Sequence, residues 1–451
     1  MTAFARYLVG GGLLQRVVRT SAITLFGFGA QQGLRFASNL LLTRLLFPEA
    51  FGTVAAIHTL VYGLIMLTDT GLHQAIITSK RGDDPGFLGT AWSVQLGRGV
   101  LLYLAGLLLV GPVAAYYQAP DLATYLPVAL LVLVIDAMRP IRYHSAFRHM
   151  QAGRLMVLDL SGNVAGIGAM VLMAWATGSI WALVLGSLVT PTVQAVLQHL
   201  YLPGPRPGIR WESAALGELF RFGRWVAPSS ICGFAAANAD KIVLGRWLGL
   251  TAFGVYNIGF FIASFPAMLA AAVVGRVLLP VYRESPPGES AATFRRTRRL
   301  RLALQAALIG PSLLLAVVGP WIIALLYDAR YQGAQGMVVL IAVAQITTAP
   351  GTTADQVPLT AGDSRGFFLL VLTRSVLAIL GLLLGLGLYG LGGGILFGGL
   401  AMLASYPVLA WTLSRHGAWD PKLDLSMLGL GLLGGAGAIL WHRDLVAPLF
   451  G

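Results

Sequence analysis

What most constrains this chain is a succession of apolar runs, each long enough to cross the roughly 30 Å hydrocarbon core of a bilayer. They fall near residues 21–46, 53–77, 87–115, 122–145, 155–176 and 180–201. They resume near 222–246, 253–279, 300–326, 335–360, 367–389 and 392–414, with a glycine-rich thirteenth run at 425–441. In lipid a backbone amide has no water to bond, so runs of this length are helices whose hydrogen bonds close within each segment. Of the 451 residues, 57% are hydrophobic and 11% charged. Soluble domains carry about a quarter charged residues, so an ordinary soluble fold is excluded. The expectation is an all-α polytopic membrane protein.

The runs form two sets of six, and the sets echo each other. Laying Arg246 on Arg44 puts Leu248 on Leu46, Ala252 on Ala50, Phe253 on Phe51 and Gly254 on Gly52. Leu109-Val110-Gly111-Pro112 recurs as Val317-Val318-Gly319-Pro320, and Pro140 answers Pro350. Self-similarity over half a chain predicts duplicated bundles. The expected plan is an interfacial segment at 1–20, a six-helix bundle at 21–201, and a cytoplasmic linker at 202–221 holding Pro203, Pro205 and Pro207. A second six-helix bundle at 222–415 and an extra helix with its tail at 416–451 complete it.

Arginine and lysine set the orientation. With the N-terminus inside, the inward connections hold Lys80 and Arg81, the stretches 139–154, 206–224 and 276–301, then Arg365, Arg415 and Lys422. Outward connections hold Arg44, Arg246, Arg330 and Arg443, an imbalance of roughly five to one. The net charge of +13 thus reports topology. Arg295-Arg296-Thr297-Arg298-Arg299 abuts a spanning run at Leu300, which suits contact with anionic lipid headgroups better than nucleic acid. Arg6, Arg16 and Arg19 suit an interfacial entry helix, and no cleavable signal peptide is expected.

No connection is long enough to fold a catalytic domain. Cys232 is the single cysteine, so neither a disulfide framework nor a multi-thiolate metal site is available. Histidines 58, 73, 144, 149, 199, 416 and 442 do not gather at metal-ligand spacing, and no metal or cofactor is expected. Gly385-Leu-Gly387-Leu-Tyr-Gly390 has dinucleotide-fingerprint spacing but lacks the preceding strand and the acidic partner. Close helix packing at Gly394 and Gly398 accounts better for this stretch.

Polar residues inside spanning helices are costly and usually face a bundle interior or a wet cavity. The first run carries Gln31, Arg35 and Ser38, widened by Gln32 and Asn39. The second carries His58, Tyr62, Asp69 and His73 on one helical face, the third Gln95 and Arg98, the fifth Asp159 and Asn163. In the second half stand Asn238, Asp240 and Lys241, then Gln345, Thr348, Thr352 and Asp355, then Arg374. Asp240 with Lys241, and Asp136 with Arg139, also read as ion pairs that hold helices together. Arginine does not surrender its proton, so unneutralised cations at 35, 98 and 374 in one cavity would suit a phosphate-bearing substrate.

The stretch Leu45-Leu46-Phe47-Pro48-Glu49-Ala50-Phe51-Gly52, followed by Asp69-Thr70-Gly71-Leu72, resembles the polysaccharide-exporter branch of the multidrug/oligosaccharidyl-lipid/polysaccharide flippase superfamily. Asn238-Ala-Asp240-Lys241 through Gly245-Arg246, then Gly254-Val-Tyr256-Asn257, and Trp181-Ala182-Leu183 after Gly178, are similar to the same family. The resemblance covers about residues 20–415; a thirteenth run without a fourteenth departs from it and puts the C-terminus outside. It implies two six-helix bundles related by a pseudo-twofold axis around a cavity that opens alternately to each side. It also implies a cargo, an oligosaccharide linked through diphosphate to a polyprenol, flipped across a bacterial inner membrane with glycan polymerase and export machinery as possible partners. Arg35, Arg98, Lys241 and Arg374, with Arg276 at the inner mouth and Gln31 and Asn39 beside them, would hold the headgroup. Asp69, Asp159, Asp240 and Asp355 would couple the cycle to protons or sodium. A multidrug-type ion antiporter is the alternative transporter. Thr78-Ser-Lys-Arg-Gly-Asp-Asp-Pro85 matches the major-facilitator signature poorly, and a membrane-embedded glycan polymerase or acyltransferase is the enzyme alternative.

Overall fold

The computed structural model describes residues 13–68, 71–79, 81–149, 151–204 and 208–451. Residues 1–12 of the expected interfacial segment, Asp69, and the side chain of Arg276 lie outside that description, and residues 13–20 of that segment form the start of one continuous helix, Leu13–Leu45. The described residues are helices and short connections, with no strand among them. They divide into two compact units, residues 1–231 and 232–451, and the division falls inside a helix.

In the first unit α1 (Leu13–Leu45) and α2 (Pro48–Leu67) are separated where Phe47 is extended, because Pro48 disfavours helix at the residue before it and is suited to the first helical turn. A short α3 (Leu72–Thr78) follows, then α4 (Pro85–Tyr116), α5 (Leu122–Ala129), α6 (Leu131–Ala137), α7 (Arg142–Arg148), α8 (Ala152–Thr177) and α9 (Trp181–Tyr201). The single run expected at 53–77 is corrected here. Gly71, at φ 60°, takes a left-handed turn, so α3 is a separate element and His73 does not continue the face of His58 and Tyr62.

The second unit begins within α10 (Ser213–Ala263) and continues through α11 (Phe265–Glu284), α12 (Ala291–Leu326), α13 (Ala334–Ile346), α14 (Ala349–Ala354), α15 (Gln356–Thr360), α16 (Ser364–Ala404), α17 (Tyr406–Arg415), α18 (Pro421–Trp441) and α19 (Arg443–Val446). Gly249, at φ 71° and ψ 162°, breaks α10 one residue after Leu248. The α1–α2 break falls at the matching place of the sequence repeat, after Leu46. Both copies are therefore interrupted at the same place, by an extended Phe47 in the first and a positive-φ Gly249 in the second, with Ala50 and Phe253 buried just beyond.

Seven helices among the described residues are long and apolar enough to span a membrane, and three bent pairs bring this to ten. The pair 122–137 and 142–148 bends by 56° at Pro140, and 334–346 with 349–360 by 42° at Pro350. The stretch 365–415, treated above as two runs, is interrupted at Tyr389 and Gly390. There a Cβ on Gly385 would sit 2.2 Å from the Gly393 carbonyl, so the glycine-spaced stretch is a close backbone crossing. Gly394 packs on Leu386, but Gly398 has open space beside it and takes no part.

Candidate functional site

The bend at Pro140 creates the chemistry of the first unit. Proline offers no N–H, and the chain turns before the helix resumes, so carbonyls at the break lose their helical partners. The amide of Gln95 on α4 replaces them, donating to the carbonyls of Ala137 at 2.8 Å and Arg139 at 3.0 Å. One turn further along α4, Arg98 donates to the Thr68 hydroxyl at 2.9 Å and to the Ile65 carbonyl at 2.6 Å, which ties α4 to the end of α2. Between these elements lies a cavity of about 310 Å³. Gln95, Arg98, Asp136, Arg139, His73 and His144 line it.

The expected Asp136–Arg139 pair is present at 2.9 Å, and Arg139 also donates to Gln194 of α9. Asp159 does not stand alone: the Tyr143 hydroxyl donates to it at 3.1 Å and the Gln198 amide at 3.1 Å. Composition and spacing gave no hint that His73 and His144 would meet. Their Nδ1 atoms are 2.8 Å apart although 71 residues separate them.

The second unit has a smaller cavity of about 70 Å³ beside the Pro350 bend, lined by Thr348, Thr352, Asp355 and Arg374 among others. Here the reading of Arg374 as an unneutralised cation is corrected. Its guanidinium is bonded to Asp355, so one expected cargo-binding residue and one expected coupling residue form a single ion pair. Two positions close enough for a bidentate group to bridge them neutralise each other before any ligand arrives. The buried Oδ1 of Asp355 has no hydrogen-bond partner among the described residues. Lys241 is likewise beside a carboxylate, 3.8 Å from Asp240, with its ammonium 4.5 Å from the centre of the Phe260 ring. The Tyr256 hydroxyl donates to Asp240 at 2.8 Å.

Arg35 and Gln31 are accessible on α1, with Asn39 half-buried further along, and Arg35 lies within electrostatic reach of His58 on α2. Arg35 and Arg98 thus belong to the first unit, and Lys241, Arg276 and Arg374 to the second. Among the described residues no three histidine, cysteine or acidic side chains form a metal-binding group.

A buried charge cluster fixes the surroundings of the second bend. Arg301 of α12 donates to both oxygens of Asp424 on α18, at 2.7 and 3.0 Å, and to the Ala418 carbonyl at 3.1 Å. Gln305 joins Asp424 at 2.9 Å to the Thr353 hydroxyl at 3.2 Å, and the Tyr282 hydroxyl donates to the Thr353 carbonyl at 2.7 Å. The side chains of Arg301 and Asp424 are 4% and 0% exposed. The thirteenth run is therefore bolted into the second unit.

Residues 41–335 match the family described as polysaccharide biosynthesis protein. The chain belongs to this family. Among its relatives, the succinoglycan biosynthesis transport protein ExoT of Rhizobium meliloti (strain 1021) is 25% identical over 342 residues, 74% of this chain and 67% of that one. The lipopolysaccharide biosynthesis protein WzxC of Escherichia coli (strain K12) is 25% identical over 260 residues, 55% of this chain and 51% of its own length. In fold the chain is similar to the lipid II flippase MurJ in an inward closed conformation, with a TM-score of 0.71 at 12% identity, covering 95% of this chain and 100% of that one. An inward-facing multidrug resistance MATE transporter of the MOP superfamily matches at a TM-score of 0.64 and 15% identity over 86% of this chain and 95% of its own. This family member is a multi-pass helical membrane protein with the MATE-like fold.

Proposed function

We propose that this chain moves a polyprenyl-diphosphate-linked oligosaccharide from the cytoplasmic to the outer leaflet of a bacterial inner membrane by alternating access, with its N-terminus in the cytoplasm. One observation carries the reading: a polysaccharide biosynthesis family member holds, among spanning helices of its first unit, a cavity of about 310 Å³ with Arg98 and the Arg139–Asp136 pair on its wall. Guanidinium groups suit diphosphate oxygens because their fixed fork matches two acceptors at once. Arg35, Gln31 and Asn39 in the first unit and Lys241, Arg276 and Arg374 in the second complete the proposed headgroup path. The Arg374–Asp355 pair would have to exchange its internal partner for the cargo. The polyprenyl tail remains in lipid throughout, since transferring its long apolar surface to water is prohibitive. Asp69, Asp159, Asp240 and Asp355 are the proposed sites of proton or sodium coupling. A glycan polymerase and export machinery would take the product.

Deletion of the gene, followed by analysis of lipid-linked glycans, tests the reading. The expected result is accumulation on the cytoplasmic side, rescued by the parent chain and not by Arg98→Ala or Arg35→Ala inserted at equal levels. Rescue by both variants removes these residues from the path. Efflux of cationic dyes by the purified protein, with glycan distribution unchanged in the deletion, would instead establish the drug-antiporter alternative.

A further inference from the structure

The elements α3 and α7 are each seven residues long, each follows a break, and they meet at two points of different chemistry. At one point His73 Nδ1 and His144 Nδ1 form a direct hydrogen bond at 2.8 Å. One turn further along α7, Arg148 Nη1 donates to the carbonyls of Ile76, Ile77 and Ser79 at 3.0, 2.8 and 2.7 Å, and its Nε faces Asp83 at 3.2 Å. The guanidinium is charged at every accessible pH, so this second contact is permanent. The first is conditional. An imidazole–imidazole bond needs one nitrogen with its proton and one with a free lone pair. When both rings are protonated, both Nδ1 atoms are donors and two cations stand at contact distance, so the bond is lost.

The groups around the pair come from several elements. Gln95 and Arg98 of α4, Asp136 of α6 and Arg139 at the break share its cavity. From α7, Phe147 and Tyr143 pack edge-on, with ring centres 5.2 Å from His73 and 5.7 Å from His144, and Tyr143 is bonded to Asp159 of α8. Arg139 acts electrostatically on His144 and is itself paired with Asp136. The pair thus forms part of the wall between α3 and α7, beside the fixed guanidinium charges of Arg98 and Arg139 and the carboxylate of Asp136.

We propose that the His73–His144 pair is a proton-binding site, and that uptake of the second proton separates α3 from α7 about the Arg148 anchor and opens the cavity of the first unit. The two histidines are then a proton site additional to the four aspartates proposed above. The inference concerns the cavity itself, so it stands or falls whatever cargo passes.

The test uses the full chain in lipid nanodiscs, in a Cys232→Ser background with Leu102→Cys on the cavity wall, a position 4% exposed in the parent. Maleimide labelling is measured against the unfolded chain at the same pH, which removes the intrinsic pH dependence of the thiol. Labelling should rise as pH falls and the second proton binds, by up to about tenfold per pH unit for one coupled proton. His144→Asn keeps a neutral acceptor near the position of Nδ1 but cannot take the proton, and its labelling should stay low and flat. Nitrogen-15 NMR of histidine-labelled parent protein, free of any cavity substitution, gives the independent measurement. The signals lost in His73→Asn and His144→Asn should pass from a proton-sharing pair to two imidazoliums over the same pH range. Labelling of the parent that does not change with pH, a pH response that survives in His144→Asn, or a pair that never takes the second proton overturns the proposal.

Discussion

The two units each contain a spanning helix broken at a proline, and they resolve the break in opposite ways. At Pro140 a neutral amide, Gln95, caps the released carbonyls, and the space beside it stays open as a cavity of about 310 Å³. At Pro350 the Thr347 hydroxyl donates to the Ala344 and Gly399 carbonyls at 2.7 and 2.8 Å, the cavity shrinks to about 70 Å³, and the buried Arg301–Asp424–Gln305 cluster reaches the next turn. A break in lipid must find hydrogen bonds somewhere. The Gln95 amide reaches across an open space and leaves room for a ligand and for movement, whereas at the second bend a hydroxyl caps the carbonyls locally and the charge cluster at the next turn fills the space.

The contrast is broken most directly at Asp424. Asp424→Ala strands the Arg301 guanidinium in a dry interior, and loss of about 3–5 kcal/mol is expected, read as thermal unfolding in detergent. A small loss there would mean the second bend does not depend on its charges. In the first unit Gln95→Leu strips two carbonyls at a cost of about 1–3 kcal/mol each where water cannot replace the amide. Because water can enter the larger cavity, the measured loss should fall below that of Asp424→Ala; a larger loss would reverse the comparison. Gly99→Ala places a Cβ 2.3 Å from that of Ala137 and should cost about 1–3 kcal/mol by pushing α4 away from α6. Hydrogen exchange concentrated at 131–148 would confirm where the strain goes.

The smallest effect lies in the connections outside the spans, where the units behave alike. Side-chain hydrogen bonds from Arg81 and the backbone amide of Gly86 hold the Asp84 carboxyl below its ordinary range, while the Gly366 amide and then His416 do the same for Asp363. A carboxyl lowered by folding stabilises above its unfolded pKa and loses that contribution as pH falls through the folded value. Asp84→Asn and Asp363→Asn should therefore each slightly lower the melting temperature at neutral pH, with the difference from the parent closing below about pH 4. A deficit that persists in acid would assign these residues a role other than their charge.

Much of this architecture is legible in the chain itself, because span length, proline and arginine placement act locally. Pro140 and Pro350, matched in sequence, both mark bends, and the repeat around Arg44 and Arg246 places an interruption in both copies. The run at 53–77 misled because the apolar stretches on either side bridge the short polar step Thr68-Asp69-Thr70, and the left-handed backbone of Gly71 that follows leaves no trace in hydropathy. Gln95 and Arg98 were recognisable as costly polar residues in a spanning helix. The pairings were not: Gln95 with the carbonyls of Ala137 and Arg139, His73 with His144, and Arg374 with Asp355 are joined by packing between helices, which linear spacing does not encode.

The clamp between Arg301 and Asp424 has a consequence for biogenesis. The carboxylate that neutralises the guanidinium is encoded 123 residues later, near the start of the last long helix, so α12 leaves the ribosome with a charge whose partner does not yet exist. Until α18 is made, Arg301 must keep its charged end at the lipid headgroups, and the second half can settle only in the closing moments of translation. A stop codon ahead of position 421 would thus remove far more than a tail.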